Sequence, residues 1–169
     1  MKSKRGFTLI ELLIVIALLG ALAVGLIGAI DPFEQLKKGA DTGTRDIVNQ
    51  VQTAVIRYYS VKNTMPWLVA LEPASTDLAT DPVKTAIVNM QNAGELRTDF
   101  QTIQSTSLSK VFMTGSIANN TVVVCYQPQS KSFKNDPNTK YTKAGVLWAA
   151  NPLCLGQGGT DTTCYWCIQ

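Results

Sequence analysis

The stretch 7–30 is the feature that most constrains this chain, because it is apolar throughout except for one carboxylate, Glu11. As a helix it would be roughly 36 Å long at about 1.5 Å per residue, enough to cross a bilayer with some tilt. An ionisable group inside a membrane segment costs about 2.5–3.5 kcal/mol on insertion scales. Glu11 therefore calls for a functional explanation and a partner.

Two ordinary membrane segments fit this stretch incompletely. A cleaved secretory signal has a basic start, which Lys2, Lys4 and Arg5 supply, but its apolar core is shorter than this one and carries no charge. A plain transmembrane anchor explains the length and the basic flank. A plain anchor does not explain why the segment contains the carboxylate of Glu11.

The hexapeptide Gly6-Phe7-Thr8-Leu9-Ile10-Glu11 resembles the processing site of type IV prepilins and the related pseudopilins. The resemblance implies cleavage of the Gly6–Phe7 bond and N-methylation of Phe7 by one membrane peptidase/methyltransferase. It also implies that Glu11 pairs with the N-terminal amine of a neighbouring subunit. It covers residues 1–30 and fades beyond them.

The resemblance implies three parts: a basic leader at 1–6, a transmembrane and filament-core helix at 7–30, and an extracellular pilin-like head at 31–169. The precursor is expected to cross the cytoplasmic membrane once with its N-terminus inside, in contact with lipid. The mature chain is then expected to form a homo-oligomeric helical filament at the cell surface. A membrane platform and a motor ATPase are the implied assembly partners.

Charge and composition argue against catalysis and nucleic-acid chemistry. The chain has 15 basic and 12 acidic side chains, and the leader holds three of the basic ones, so the remainder is balanced. The basicity is thus a topology signal. There is no histidine, phosphate loop or nucleophile elbow, so we predict no enzyme, no cofactor and no bound metal.

The four cysteines, Cys125, Cys154, Cys164 and Cys167, lie in the last 45 residues. Outside the cytoplasmic membrane, cysteines of this kind form structural disulfides, and four allow three pairings. We expect two disulfides that pin the tail to a sheet, with Cys125 bonded to one tail cysteine. A four-cysteine zinc site and free or redox-active thiols are the alternatives; the single CxxC unit is a weak zinc signal.

Helices are predicted in the first half of the chain. Asp31-Pro32-Phe33-Glu34 is a helix start, since Asp caps well, Pro suits the first turn and Glu the third position; the apolar helix should break near 30–32. An amphipathic helix is predicted over 44–62, with a soft joint at 39–43 before it. A further helix should begin at Asp81-Pro82 and end near Gly94.

Strands are predicted in the second half. The segments 111–113, 121–126 and 145–149 have strand composition, with a turn at Asn119-Asn120, and the polar segments 67–80, 127–143 and 156–163 are predicted loops. Helices followed by strands indicate an α+β fold. With the resemblance, the expected architecture is pilin-like: a long hydrophobic N-terminal helix, then an amphipathic helix packed on a small antiparallel sheet.

These features favour the structural subunit of a type IV pilus-like filament for adhesion, motility or DNA uptake. A pseudopilin of a type II secretion system is the nearest alternative. The major pseudopilin of that system is expected to end in an acidic calcium-binding loop, whereas the tail from Cys154 has one acidic residue, Asp161. A membrane-tethered extracellular domain that never polymerises is the third hypothesis, and retention of residues 1–6 would support it.

Overall fold

The structure, a computed structural model, describes residues 6–29, 31–148 and 164–169. The chain forms two compact units, one ending at Leu36 and the other beginning at Lys37. The first contains helix α1, Leu9–Ala29. By length and composition α1 is able to cross a membrane over Leu9–Gly28, and none of that stretch is buried within the chain.

A capped break separates α1 from the next helix, as the sequence predicted. Helix α2 spans Pro32–Lys62. The Asp31 carboxylate accepts hydrogen bonds from the backbone N–H groups of Phe33 and Glu34, at 3.1 and 3.2 Å. Asp31 therefore satisfies two of the N–H groups that a helix start leaves without partners.

Helix α2 is longer than predicted. The amphipathic periodicity indicated a helix from residue 44 with a joint at 39–43, yet α2 runs through Gly39 and Gly43 without interruption. Each glycine costs about 1 kcal/mol relative to alanine, and tertiary contacts of Asp41 and Thr44, both buried, offset this. The expected joint is thus wrong.

Five strands form one antiparallel sheet in the order β1-β2-β3-β5-β4. They span Thr76–Asp77 (β1), Val111–Ser116 (β2), Thr121–Tyr126 (β3), Thr139–Tyr141 (β4) and Tyr165–Ile168 (β5). The hairpin between β2 and β3 turns through Asn120, whose φ is 50°. Together with the helices, this sheet confirms the α+β class.

The strand predictions were only partly correct. Segments 111–113 and 121–126 lie in β2 and β3, but residues 145–148, the described part of the third predicted strand, do not form one. Within its described part, Leu147 makes an isolated bridge to Tyr141. Strands β1, β4 and β5 were not foreseen; β1 and β4 lie in predicted loops and are two and three residues long. The predicted loop at 156–163 falls outside the described residues.

The described part of the head contains further, shorter helices. Helix α3, Val83–Asn92, lies between Asp81-Pro82 and Gly94 as predicted, and Gly94 has a φ of +80°. Its N-cap residue is Pro82 and not Asp81, while the Asp81 carboxylate accepts a hydrogen bond from the Thr85 N–H at 3.2 Å. Helices α4 (Phe100–Ile103), α5 (Ser105–Leu108) and α6 (Lys131–Lys134) have four residues each, and a 3-10 turn covers Val69–Leu71.

The core lies between α2, α3 and the inner face of the sheet. Period-2 alternation in β2 and β3 buries Val111, Met113 and Val124, while α2 contributes Val48 and Val51. Trp67 packs flat on β2 beside Gly115, where a Cβ atom would lie 2.3 Å from the indole ring. A side chain at residue 115 would displace Trp67 from the core.

Candidate functional site

The N-terminal segment that carries the predicted processing and assembly residues is organised by a capping box. The Glu11 carboxylate accepts hydrogen bonds from the Thr8 backbone N–H at 2.8 Å and the Thr8 hydroxyl at 2.6 Å. In return, the Glu11 N–H donates to Thr8 Oγ1 at 3.3 Å. This reciprocal Thr-x-x-Glu arrangement fixes the start of α1. It also holds the Glu11 carboxylate at Thr8, one residue after Phe7.

Gly6 and Phe7, the predicted cleavage residues, are exposed ahead of this cap. A Cβ atom added at Gly6 would meet no described heavy atom within 4 Å. The Phe7 side chain is 81% exposed. Packing against the residues that the structure describes therefore does not require glycine at residue 6.

Helix α1 is apolar on all sides and is not covered by its own chain. Its large side chains are exposed, from Leu9 at 82% to Val15 at 47%. A helix that is hydrophobic all round is stable only inside a core or a membrane. The exposed apolar surface of α1 is typical of a helix that spans a membrane.

The cysteine region is oxidised. Cys125 on β3 is bonded to Cys167 on β5, directly across the two strands. Cys164 is also disulfide-bonded, and Cys154 lies outside the described residues. Sulfurs joined in a disulfide do not ligate zinc as thiolates, and the described residues hold no group of three potential metal ligands.

Two polar residues of α2 attach that helix to the C-terminal half of the head. Asp41, buried in the helix, accepts hydrogen bonds from the backbone N–H groups of Gln129 and Ser130, at 2.9 and 2.7 Å, and from the Ser130 hydroxyl at 2.6 Å. The Ser130 oxygen in turn accepts from the Phe133 N–H and caps α6. A buried carboxylate with several donors is well satisfied.

Arg45, one turn further along α2, lies between two aromatic rings. Its guanidinium carbon is 4.4 Å from the ring centroids of both Phe133 and Trp166. Its Nη2 forms an ion pair with Asp136 at 2.7 Å. We call Arg45, Phe133, Trp166 and Asp136 the Arg45 stack. It joins α2 to both α6 and β5.

Burial, hydrogen bonds and charge together shift two pKa values at the Arg45 stack. Burial raises the pKa of Tyr126 to about 12, although Arg45 beside it acts in the opposite direction. Partial burial tends to raise the pKa of Asp136, but hydrogen bonds from the Asn138 N–H and from Arg45 outweigh it. The net pKa of Asp136 is lowered.

Comparison with known proteins identifies a family motif in the N-terminal segment. Residues 1–27 match the family described as the Prokaryotic N-terminal methylation motif. No curated protein and no solved structure matches the chain. The chain therefore carries the signature of type IV pilins and pseudopilins, and this signature implies processing by a prepilin peptidase and a membrane-anchored precursor.

Three residues of these sites were not singled out from the sequence. Thr8 was readable, because Thr-x-x-Glu before an apolar run is a capping-box pattern. Asp41 and Arg45 were not, since their partners lie 88–91 residues away along the chain. The helical period assigns Arg45 only to the polar face of its helix.

Proposed function

We propose that this chain is the structural subunit of a type IV pilus-like filament that assembles through α1. The observation that carries the proposal is the methylation motif directly before an apolar helix whose surface its own chain leaves uncovered. Proteins with this motif are generally structural, and the proposal assigns no catalytic role.

Processing comes first in this proposal. The peptidase cuts between Gly6 and Phe7 and methylates the new amine of Phe7, and the exposure of both residues supports access to that bond. Before assembly, α1 anchors the precursor with the leader inside the cell and the head, 31–169, outside. A membrane platform and motor ATPase then move subunits into the filament, where α1 exchanges lipid for neighbouring helices.

Glu11 would set the register between subunits. An amine and a carboxylate are both costly in an apolar core unless they pair, and removing one partner of a buried pair costs about 3–5 kcal/mol. In the proposed filament the Glu11 carboxylate of one subunit meets the Phe7 amine of the next. The charge itself supports this role, since Glu11 is the one carboxylate in the stretch 7–30 and the capping box does not require a charged residue at that position.

The pseudopilin alternative shares the same signature, so the motif alone does not separate it from a pilin. The tail from Cys154 onward favours the pilin, since it has three cysteines and a single acidic residue. A non-polymerising tether accounts for α1 as an anchor but gives Glu11 no role.

A pair of substitutions separates the charge of Glu11 from its role in the cap. Glu11→Gln removes the charge but keeps a residue that suits the capping box. Thr8→Ala removes the cap, at about 1 kcal/mol, but keeps the charge. We expect Glu11→Gln to lower the yield of sheared surface filament, relative to membrane-bound chain, at least about tenfold, because the neighbour's amine is left unpaired. Thr8→Ala should stay near wild type.

Normal filament yield from Glu11→Gln would contradict the proposed role of this carboxylate. An equal loss of surface filament in both variants would instead mean that Glu11 acts in assembly through the helix cap. Membrane insertion of each variant, measured in the same cells, is the control for synthesis and stability.

A further inference from the structure

A groove with three lysines lies on the head where β2, α2 and the segment after β3 meet. Its volume is about 480 Å³. We call it the lysine groove; it is lined by Lys37, Ser109, Lys110, Phe112, Gln127, Pro128, Gln129, Lys134 and Tyr165. Its charged residues come from α2, the start of β2 and the end of α6, so folding brings together cations that are far apart in the chain.

The charge of the lysine groove is unbalanced. No carboxylate is among its lining residues. Within the part of the chain that the structure describes, Arg45, Arg57 and Arg97 each form an ion pair with an acidic residue. Lys37, Lys110 and Lys134 form no ion pair with any described acidic residue, although the chain without its leader has equal numbers of basic and acidic side chains. The groove is therefore complementary to an anion.

A fourth lysine lies beside the lysine groove, next to one of the two aromatic rings that line it. Phe112 and Tyr165 meet edge to face with their ring centroids 5.9 Å apart. Lys143 Nζ lies 3.9 Å from the Phe112 centroid, over its ring. Lys143 is not among the lining residues, but its charge adds to the positive potential near the groove.

Lys37, which lines the lysine groove, is close to α1 along the chain. The short connection limits how far Lys37 can lie from a membrane that α1 spans. Residues 32–37 are helical, and only two residues separate the last residue of α1, Ala29, from Pro32. At about 3.5 Å per extended residue and 1.5 Å per helical residue, the Cα of Lys37 lies within roughly 18 Å of the Cα of Ala29. While α1 spans a bilayer, Lys37 is within reach of the headgroup layer.

We propose that the lysine groove binds the phosphates of anionic phospholipids while the subunit is anchored by α1. The proposal rests on the membrane-anchored precursor described above. Lysines near an anionic membrane surface each contribute about one kcal/mol of attraction, a factor of about five. The contact would hold the head against the bilayer before assembly, and it would be released when α1 leaves the lipid.

The test uses the full-length chain in vesicles of phosphatidylcholine alone or of an equimolar mixture with phosphatidylglycerol. A membrane-impermeant acetylating reagent is added, and acetylation of each lysine is measured by peptide mass spectrometry. Lys62 is the internal reference, since it is exposed and about 37 Å further along α2 than Lys37. We expect acetylation of Lys37, Lys110 and Lys134, relative to Lys62, to fall about fivefold in anionic vesicles.

Two further conditions test the charge origin of this protection. Salt at about 1 M, where the Debye length is near 3 Å, should abolish the protection. The double substitution Lys110→Gln with Lys134→Gln should reduce protection of Lys37, whereas Lys84→Gln, an exposed change on α3, should not.

Equal acetylation in neutral and anionic vesicles would overturn the lipid proposal and leave the anchored precursor intact. Protection by a short DNA duplex added to neutral vesicles, without protection by anionic lipid, would also overturn it and assign the groove to nucleic acid. A chain that does not float with either vesicle would overturn both the groove and the membrane-anchored precursor.

Discussion

At the scale of single residues, Glu11 combines two roles that its sequence context indicates. Its charge within an apolar run predicts a functional role, because an unpaired charge is costly in a membrane segment. Its local hydrogen bonds to Thr8 add a second role, which the spacing of the two residues also encodes. The neighbour's amine that Glu11 is proposed to meet belongs to another subunit, so a single chain does not contain that contact.

The Arg45 stack is the residue-scale feature that the sequence could not predict. The helical period places Arg45 on the polar side of α2, which usually faces water. Two aromatic rings and Asp136 from distant parts of the chain cover it instead, and its side chain is 27% exposed. Periodicity describes one helix and contains no information on which segment packs over its polar face.

The lowered pKa of Asp136 predicts acid sensitivity of the head. Because the folded-state pKa lies below the unfolded value of about 3.9, the stabilisation is fully present above that value and is lost as the pH falls through the folded-state pKa. Asparagine does not titrate, so the variant Asp136→Asn lacks this pH-dependent contribution to stability. The difference in urea midpoint between wild type and this variant, measured on the full chain in detergent, should be constant above about pH 5 and shrink below about pH 4.

Asp46→Asn is the matched control, since Asp46 is exposed on α2 next to Arg45 and bonds only Gln50 among the described residues. The prediction for Asp136 is wrong if the difference in urea midpoint between Asp136→Asn and wild type is the same at pH 7 and pH 3.

At the scale of elements, the long helices were predictable and the short strands were not. The start of α2 could be predicted from Asp31 and Pro32, because both residues act on the backbone next to them. Strand β5 is four residues long and pairs with β3 and β4, so its existence depends on two partners elsewhere in the chain. A segment this short has too few residues for a period-2 pattern to distinguish it from a loop.

Gly145 explains why residues 145–148, the described part of the predicted strand at 145–149, do not form a strand. Its φ is +80°, and a Cβ atom there would lie 2.3 Å from Val123 Cγ1 on the outer face of β3. The Gly145 N–H donates instead to the Thr142 carbonyl at 2.9 Å in a tight turn. Positive φ is a turn conformation that glycine adopts readily, so the chain bends where the apolar residues alone suggested a strand.

The Cys125–Cys167 bond predicts a defined result in peptide mapping and in unfolding. It closes a loop over a sequence separation of 42 residues, which the chain-entropy model values at about 4 kcal/mol. Replacing both cysteines with alanine should therefore lower the free energy of unfolding by about that amount, measured by urea titration of the full chain in detergent.

The mapping requires chymotrypsin, because no lysine or arginine follows Lys143 and trypsin leaves the three tail cysteines on one peptide. Cleavage at Tyr165 or Trp166 separates Cys164 from Cys167. A non-reduced digest should contain a peptide with Cys125 linked to Cys167; linkage of Cys125 to Cys164, or four alkylatable thiols, would contradict the structure.

At the scale of the whole molecule, the sequence predicted an apolar helix and an α+β head because these differ sharply in hydropathy. The described residues form two compact units, and α2 begins in the first and continues through the core of the second. An apolar helix with an exposed surface is consistent with a subunit that is incomplete alone. The contacts between subunits of the proposed filament cannot be observed in a single sequence or in the structure of a single chain.

The most direct test of the filament proposal is the N-terminal mass of the chain recovered from sheared surface filaments. The account predicts a chain that begins at Phe7 and carries one added methyl group on its amine. Gly6→Leu, which places a bulky side chain at the cleavage site, should leave the leader attached and the chain in the membrane. Filaments built from chains that still begin at Met1 or Lys2 would contradict the account.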